Sequence, residues 1–370
     1  MRTSRFWIGM GLALLGGAGA GWMVAMWYVP SQIAQLETAL RQRLERVAAS
    51  TTTEPRVEVV PIERPAASPL YPSAFIARRL SPVVTLVRRN PSKPTDEGVA
   101  VGEREVGAAI TVTADGWLIT TAQAFNGAHV SDLAAVWNGR AYPLTKAIRD
   151  QATDVVFLKI EASDLPASEF VHPEDLAHGI VVWLEPRAKR LQPETVLDLR
   201  AHHQVEIASS ERATRRLLVS GNAGSFWSGG GVWDTQGRLI GLLETFTADG
   251  WRVVPASNIS GSLASLLSSG EIRHASLGIR TLDLAARVFE RSRTEIPRQG
   301  AWVRTGSKVL REGDVIERIE RDILDGTADV GERLLSYHPG TRVTLTITRQ
   351  GKLLEVSVIL GSVLTSEFLK

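Results

Sequence analysis

Ser228 is a candidate catalytic serine, because it begins the glycine-rich run Ser228-Gly229-Gly230-Gly231. Two interpretations stay open for it, a reactive nucleophile and a turn residue of a glycine-rich loop. A serine that hydrolyses peptide bonds needs an imidazole to take its proton, a carboxylate to orient that imidazole, and backbone N–H groups to hold the oxyanion. What Ser228 can do therefore depends on which of these partners the chain supplies.

The histidines of the chain supply no obvious partner. His129 follows an Asn126-Gly127 turn and is predicted to be an exposed loop residue. His202 and His203 are adjacent, so on a strand their side chains point to opposite faces, and no carboxylate stands at a spacing that suits a metal site. Cysteine is absent, which excludes disulfides, thiolate metal ligands and cysteine nucleophiles. We predict neither a metal nor a cofactor.

The region around Ser228 is built from short β-like runs separated by glycine, aspartate and asparagine turns. This pattern over residues 71–271 predicts an all-β barrel or sandwich, closed by a helix over residues 259–267. The predicted strands are Val83–Val87, Ala108–Thr113, Trp117–Thr121, Val155–Ile160, Ile180–Leu184 and Leu239–Thr245. With 370 residues, 44% of them hydrophobic, the chain has room for two folded domains and an anchor. A net charge of only +2 gives no reason to predict nucleic-acid binding.

The N-terminus has the pattern of a membrane anchor. Arg2 and Arg5 precede an uncharged stretch whose apolar part runs over residues 6–29, enough for one transmembrane helix with a cytoplasmic N-terminus. We assign residues 1–30 to this anchor; a cleaved signal peptide is the alternative, because Ala18-Gly19-Ala20 has the form of a cleavage site. Residues 31–70 are predicted to be a juxtamembrane helix followed by a linker rich in Thr, Pro and Ser. Both interpretations export everything that follows.

The last part of the chain, residues 272–362, mixes strands with one helix. Strands are predicted over residues 277–279, 315–319, 342–349 and 353–360, and a helix over residues 329–337. The last two strands alternate as a hairpin across Gln350-Gly351. Residues 363–370 remain as a tail.

Four motifs in this order carry a resemblance to a known family. They are Gly107–Ile110 with Asp115–Thr120, Asp150–Ile160, Ser228–Val232 with Gln236–Gly241, and Gly313–Ile316 with His338–Gly340. In this order and spacing the chain resembles the HtrA family of serine proteases, most closely its DegS-like members with an anchor, one protease domain and one PDZ domain. The resemblance implies a mainly β protein: an N-terminal transmembrane helix, a chymotrypsin-like double β-barrel over residues 71–271, and a C-terminal PDZ domain of the α+β type over residues 272–362.

The resemblance also implies site residues, and two of them depart from the family. Asp154 matches the catalytic carboxylate, although it also suits a structural acceptor, and Ser228 matches the nucleophile. The position of the catalytic histidine is held by Gln123, whose carboxamide donates hydrogen bonds but accepts no proton at neutral pH. The oxyanion-hole donors would be Phe226 and Ser228, but the family has glycine where this chain has Phe226. Two parts of the catalytic machinery are therefore expected to be degenerate.

The PDZ resemblance implies a binding site for peptide C-termini. Ser276-Leu277-Gly278-Ile279 matches the loop whose N–H groups hold the terminal carboxylate, and the groove wall would be the helix that carries Val330 and Leu334. A core role for these two apolar residues is the alternative. Between residues 303 and 313 the chain is shorter than the family pattern and is expected to lack a small helix.

These observations favour a membrane-anchored pseudoprotease that faces the bacterial periplasm and binds protein C-termini. Its further expected partners are the inner membrane and an active HtrA relative. Trimers are implied by the family, with Tyr71 and Phe75 as contact residues. Two alternatives stay open: an active DegS-like serine endopeptidase with an unrecognised base, and a purely structural adaptor of a membrane assembly.

Overall fold

The computed structural model describes the chain from residue 81 onward, with gaps. The described residues are 81–89, 101–125, 128–201, 207–224, 227–285, 297, 299–326 and 328–369, together with residues 38, 41 and 42. The predicted anchor, residues 1–30, lies outside them. Within the described residues no helix is both long and apolar enough to cross a membrane.

Strands dominate these residues, as predicted. They are β1 Val83–Arg89, β2 Val101–Thr111, β3 Trp117–Thr121, β4 Leu133–Trp137, β5 Arg140–Asp150, β6 Val155–Ile160, β7 Val181–Arg187, β8 Arg190–Ala201, β9 Ala208–Ser209, β10 Arg216–Val219, β11 Gly231–Trp233, β12 Leu239–Thr247, β13 Gly250–Pro255, β14 Arg273–Ser276, β15 Arg280–Asp283, β16 Ala301–Thr305, β17 Val315–Ile319, β18 Asp322–Ile323, β19 Arg342–Arg349, β20 Lys352–Ile359, β21 Gly361–Leu364 and β22 Ser366–Leu369. The α-helices are α1 Ala122–Phe125, α2 Ser257–Ser269 and α3 Val330–Leu334.

Two antiparallel barrels of six strands each form the first part of the fold. Strands β1 to β6 close the first barrel through the pairing of β5 with β6, and β7, β8 and β10 to β13 form the second. Long runs of consecutive residues are buried in these strands, because side chains on one face point into the barrel and those on the other face pack against neighbouring elements. In β6, for example, only Lys159 is not buried. This double barrel confirms the predicted architecture. The N–H of Ala108 in β2 donates to the Ser228 carbonyl at 2.9 Å. Helix α1 lies close to the same point, because a Cβ atom on Gly107 would lie 2.8 Å from the Ala124 side chain and 3.0 Å from the Ser228 carbonyl oxygen.

A third sheet follows helix α2, in the order β20-β19-β17-β16-β15-β9, with β18 beside β17. Its core includes Leu345, Ile347 and Leu334, and the alternating burial of β19 shows one face turned inward. The hairpin between β19 and β20 turns at Gln350 and Gly351, whose φ angles are 51° and 74°, as expected for a tight two-residue connection. The first strand of this sheet, β9, comes from the segment between strands β8 and β10 of the second barrel.

Two predicted elements of this region need correction. Leu277–Ile279 is not a strand: it is the connection between β14 and β15, where Gly278 takes a φ of 64° that few side chains tolerate. The helix predicted over residues 329–337 is shorter: it begins after its N-cap Asp329, which accepts the N–H of Glu332, and it ends at Leu334. As expected from the short sequence there, no helix forms between residues 306 and 313.

The segment predicted only as a tail, residues 363–370, contains the end of β21 and the whole of β22. Strand β21 pairs with β14, and β22 pairs antiparallel with β5 of the first barrel, with Ser366 opposite Asp150 and Leu369 opposite Ala147. The C-terminal end of the chain therefore returns to the first barrel.

Candidate active site

The serine loop is held tightly between the two barrels. Gly229 has a φ of 83°, and a Cβ atom there would lie 2.0 Å from the Ala108 carbonyl oxygen, so the loop requires glycine at this position. The Ser228 hydroxyl donates to the backbone carbonyl of Glu244 at 2.8 Å. Its proton is thus directed at a backbone oxygen. No hydrogen bond joins Ser228 to any of the histidines that the structure describes.

Asp154 lies at the turn between β5 and β6, with a φ of 62°. Its Oδ1 accepts from Arg149 at 2.6 Å and its Oδ2 from Arg212 at 3.0 Å, while a nitrogen of Arg216 lies 4.0 Å away. Both carboxylate oxygens are thus engaged by guanidinium groups. Sequence reasoning missed Arg212, which lies 58 positions along the chain, and also Arg149, which lies only five positions before Asp154.

Gln123 is exposed and lies on the single turn of α1. Among the described residues, its carboxamide makes no hydrogen bond to Asp154 or to Ser228. Gln123 and Asp154 do line one cavity of about 580 Å³, together with Arg149, Arg212 and others. The structure therefore brings two of the predicted triad positions to one cavity without linking them into a proton relay.

The residue before the serine is buried in the second barrel. Trp227 is 8% exposed and stacks on Trp251, with ring centroids 5.9 Å apart and planes 11° apart. A Cβ atom on Gly224 would lie 1.9 Å from the Trp227 ring, which shows how closely the loop wraps this side chain. Phe226, the predicted oxyanion position, lies outside the described residues, as do His202 and His203.

Known proteins resemble this chain in both sequence and structure. The family model of the trypsin-like peptidase domain matches residues 107–242. The chain is 32% identical over 151 residues to the periplasmic pH-dependent serine endoprotease DegQ of Escherichia coli (strain K12), which covers 36% of this chain and 32% of DegQ. It is 23% identical over 291 residues to a probable periplasmic serine endoprotease, DegP-like, of Halomonas elongata, over 73% of this chain and 59% of that protein. The chain is an HtrA-like protein.

Solved structures agree on the fold. The HtrA-type protease AlgW with a decapeptide superposes with a TM-score of 0.56 at 18% identity, over 78% of this HtrA-like chain and 98% of AlgW. The chain spans less than two thirds of the length of the two curated relatives named above.

A second group of Ser, His and Asp lies elsewhere in this HtrA-like chain. Asp150 Oδ2 contacts Ser262 Oγ at 2.7 Å and His274 Nε2 at 3.0 Å, and its other oxygen accepts the N–H of Ala152 at 2.9 Å. Asp150 and Ser262 are fully buried and His274 is 4% exposed, so no substrate reaches them. Both partners converge on the carboxylate, an arrangement that ties β5, α2 and β14 together. We assign the group to structure, not catalysis.

Electrostatics support that assignment. Burial by itself raises the pKa of Asp150, but the hydrogen bond and charge of His274 and the hydroxyls of Ser262 and Thr365 outweigh it, so the pKa is lowered. The carboxylate stays ionised inside the fold. No local sequence pattern predicts this Asp150–Ser262–His274 group, because Ser262 and His274 lie 112 and 124 positions from Asp150.

The residues predicted to bind peptides lie at one edge of the C-terminal sheet. The loop Ser276–Ile279 leads into β15, and α3 lies near the same edge, with Val330 in the wall of the cavity. Val330 and Leu334 are 2% and 1% exposed, so both are also core residues. Strand β9 pairs with β15 at this edge, the position that a peptide added as a strand would use.

Proposed function

We propose that this HtrA-like chain is a membrane-anchored periplasmic pseudoprotease that acts as a scaffold or regulator and binds protein C-termini through residues 272–362, its PDZ domain. One observation carries the proposal. Where a proton relay is needed, Gln123 is bonded to neither partner, Asp154 is held by Arg149 and Arg212, and Ser228 donates to a backbone carbonyl.

The chemistry makes this arrangement a poor catalyst. A carboxamide takes up no proton at neutral pH, and loss of the histidine of a serine triad lowers turnover by about 10^6-fold. An imidazole placed at residue 123 would also need the Asp154 carboxylate, which two guanidinium groups occupy. The degeneracy thus extends beyond the exchanged histidine.

Peptide binding is supported by the sheet edge and by a structural neighbour. A PDZ domain takes a peptide as an added strand and holds its terminal carboxylate with N–H groups of a glycine-containing loop. Gly278, with its positive φ, stands in such a loop beside β15. AlgW, which shares the fold, was solved with a decapeptide.

The location and assembly belong to the same proposal. The named relatives are described as periplasmic, and the apolar run over residues 6–29 would anchor this chain in the inner membrane. Trimers, with contacts from Tyr71 and Phe75, would place several binding domains on one scaffold, alone or with an active relative.

A fluorophosphonate probe tests the inactive site directly, since it labels only an activated serine. We expect the purified full chain to remain unlabelled and to leave casein intact, as does a Ser228→Ala control. Labelling of the wild-type chain that Ser228→Ala abolishes would refute the proposal and establish an active endopeptidase.

Rebuilding the relay is the complementary test. Adding Arg212→Ala to the double variant Gln123→His with Phe226→Gly frees Oδ2 of Asp154, so it should raise labelling above that of the double variant, and Ser228→Ala should remove the labelling. If the double variant alone is labelled strongly, the arginine contacts do not block the relay.

A further inference from the structure

A segment of the second barrel occupies the predicted peptide-binding edge of the C-terminal sheet. Residues 207–211, which we call the 207–211 segment, include strand β9, which pairs antiparallel with β15. Ser209 lies opposite Arg280 and Ala208 opposite Thr281. The pairing continues beyond the strand, because the Ser210 N–H donates to the Ile279 carbonyl at 2.9 Å.

The direction of this segment is that of a bound peptide C-terminus. From Ala208 to Ser210 the chain runs towards the loop Ser276–Ile279, the loop that resembles a carboxylate-binding loop. At that end stands Glu211. Its carboxylate accepts the hydroxyl of Ser276 at 2.5 Å, and the backbone N–H of Gly278 donates to that same hydroxyl oxygen at 3.0 Å. A side-chain carboxylate thus lies where a ligand's terminal carboxylate would be held.

Neutral donors keep that carboxylate ionised. Burial by itself raises the pKa of Glu211, but hydrogen bonds from the hydroxyls of Ser209, Ser276 and Ser210 and from Gly278 outweigh it, so the pKa is lowered. Among the described residues, no Lys or Arg forms an ion pair with Glu211. Donation by hydroxyl and backbone N–H groups to an anion is the chemistry expected of a terminal-carboxylate site.

The chain beyond Glu211 is fastened to helix α3. The N–H and hydroxyl of Thr214 donate to Asp329 Oδ2 at 2.8 and 2.7 Å. Arg215 forms a buried double hydrogen bond with Glu332. The Arg212 carbonyl packs against Gly331, where a Cβ atom would lie 2.0 Å from that oxygen. Both sides of the predicted groove, β15 and α3, therefore contact one continuous stretch of the chain.

We propose that the 207–211 segment is a built-in ligand of the C-terminal domain, with Glu211 standing in for a terminal carboxylate. The inference rests on the proposed binding of protein C-termini, and it identifies the 207–211 segment as their competitor for the groove beside β15. External partners are peptides with a free terminal carboxylate, and each must displace the segment to form the same backbone bonds with β15. The apparent affinity for such a peptide is the intrinsic affinity reduced by the fraction of molecules with an open groove.

The test uses the full chain in detergent and a labelled hexapeptide that copies residues 205–210 and ends in a free carboxylate. Glu211→Gln removes the charge at the same size, and Gly331→Ala pushes the Arg212 carbonyl away while favouring the helix. We expect each variant to bind the peptide about tenfold more tightly than wild type, the gain for a groove open about a tenth of the time. Glu355→Gln, at an exposed position of β20, is the matched control and should leave the affinity unchanged.

Hydrogen exchange supplies a readout that needs no external ligand. In Glu211→Gln the amide of Ser210 should lose protection, whereas amides of β19 should keep theirs. If the Ser210 amide is as protected as in wild type, or if wild type binds the peptide as tightly as both variants, the built-in ligand is refuted while C-terminus binding stands. If the variants bind free and amidated peptides equally, the proposed carboxylate site fails, and the inference fails with it.

Discussion

Replacing Asp150 by asparagine removes the charge from the most deeply buried carboxylate of the first barrel. The side chain is fully buried and receives hydrogen bonds from Ser262 and from backbone and hydroxyl donors of residues 152 and 153, besides the contact with His274. Asparagine keeps the volume but turns one acceptor into a donor that faces other donors. Removing one partner from a buried charged pair costs about 3–5 kcal/mol, which corresponds to roughly 6–20 °C in Tm for a domain of this size.

Asp154→Asn is the matched control, four positions along the chain. Its carboxylate is 23% exposed and pairs with Arg149 and Arg212, which are 38% and 55% exposed, so solvent screens the pairs. Such pairs contribute about 0–1 kcal/mol. Urea unfolding of both variants, followed by tryptophan fluorescence, measures the difference. Equal losses of unfolding free energy, within about 0.5 kcal/mol, would refute the argument from burial.

The pH dependence gives the same prediction a second test. The pKa of Asp150 is lower in the folded chain than in the unfolded chain. Its stabilising contribution is therefore complete above the unfolded pKa of about 3.9 and is lost as the pH falls through the lower, folded pKa. The stability gap between wild type and Asp150→Asn should narrow as the pH falls below about pH 4. A gap that widens on acidification would contradict this sign.

Three further predictions concern other contacts. Trp227→Ala should cost about 3–5 kcal/mol of unfolding free energy, because it empties the stack on Trp251; a loss under 1 kcal/mol in urea unfolding would contradict that packing. Deleting residues 366–370 uncovers the edge of β5 and should produce concentration-dependent association in light scattering, whereas Phe368→Ser, at a 61% exposed side chain, should remain monodisperse like wild type. Gly229→Ala places a methyl group 2.0 Å from a β2 carbonyl, so hydrogen exchange in the serine loop should accelerate, and unchanged exchange would show that the loop adapts.

Local sequence patterns predicted nine of the 22 strands that the structure describes. Alternation and turn residues are read within a few positions, which is why β3, β6, β17 and β19 were predicted with the bounds they have. The error at residues 277–279 has the same origin. Three apolar or small residues imitate a strand, and only the positive φ of Gly278 shows a turn.

What the sequence determines by itself is the chemical inventory of the site. A glutamine at position 123 takes up no proton in any fold, and the glycines after Ser228 permit the tight loop that forms there. The tertiary structure alone decides which groups meet. Arg212 at Asp154, His274 at Asp150 and Glu211 at Ser276 are pairs separated by 58, 124 and 65 positions. Such contacts follow from how barrels and sheets pack, and no pattern within one segment encodes them.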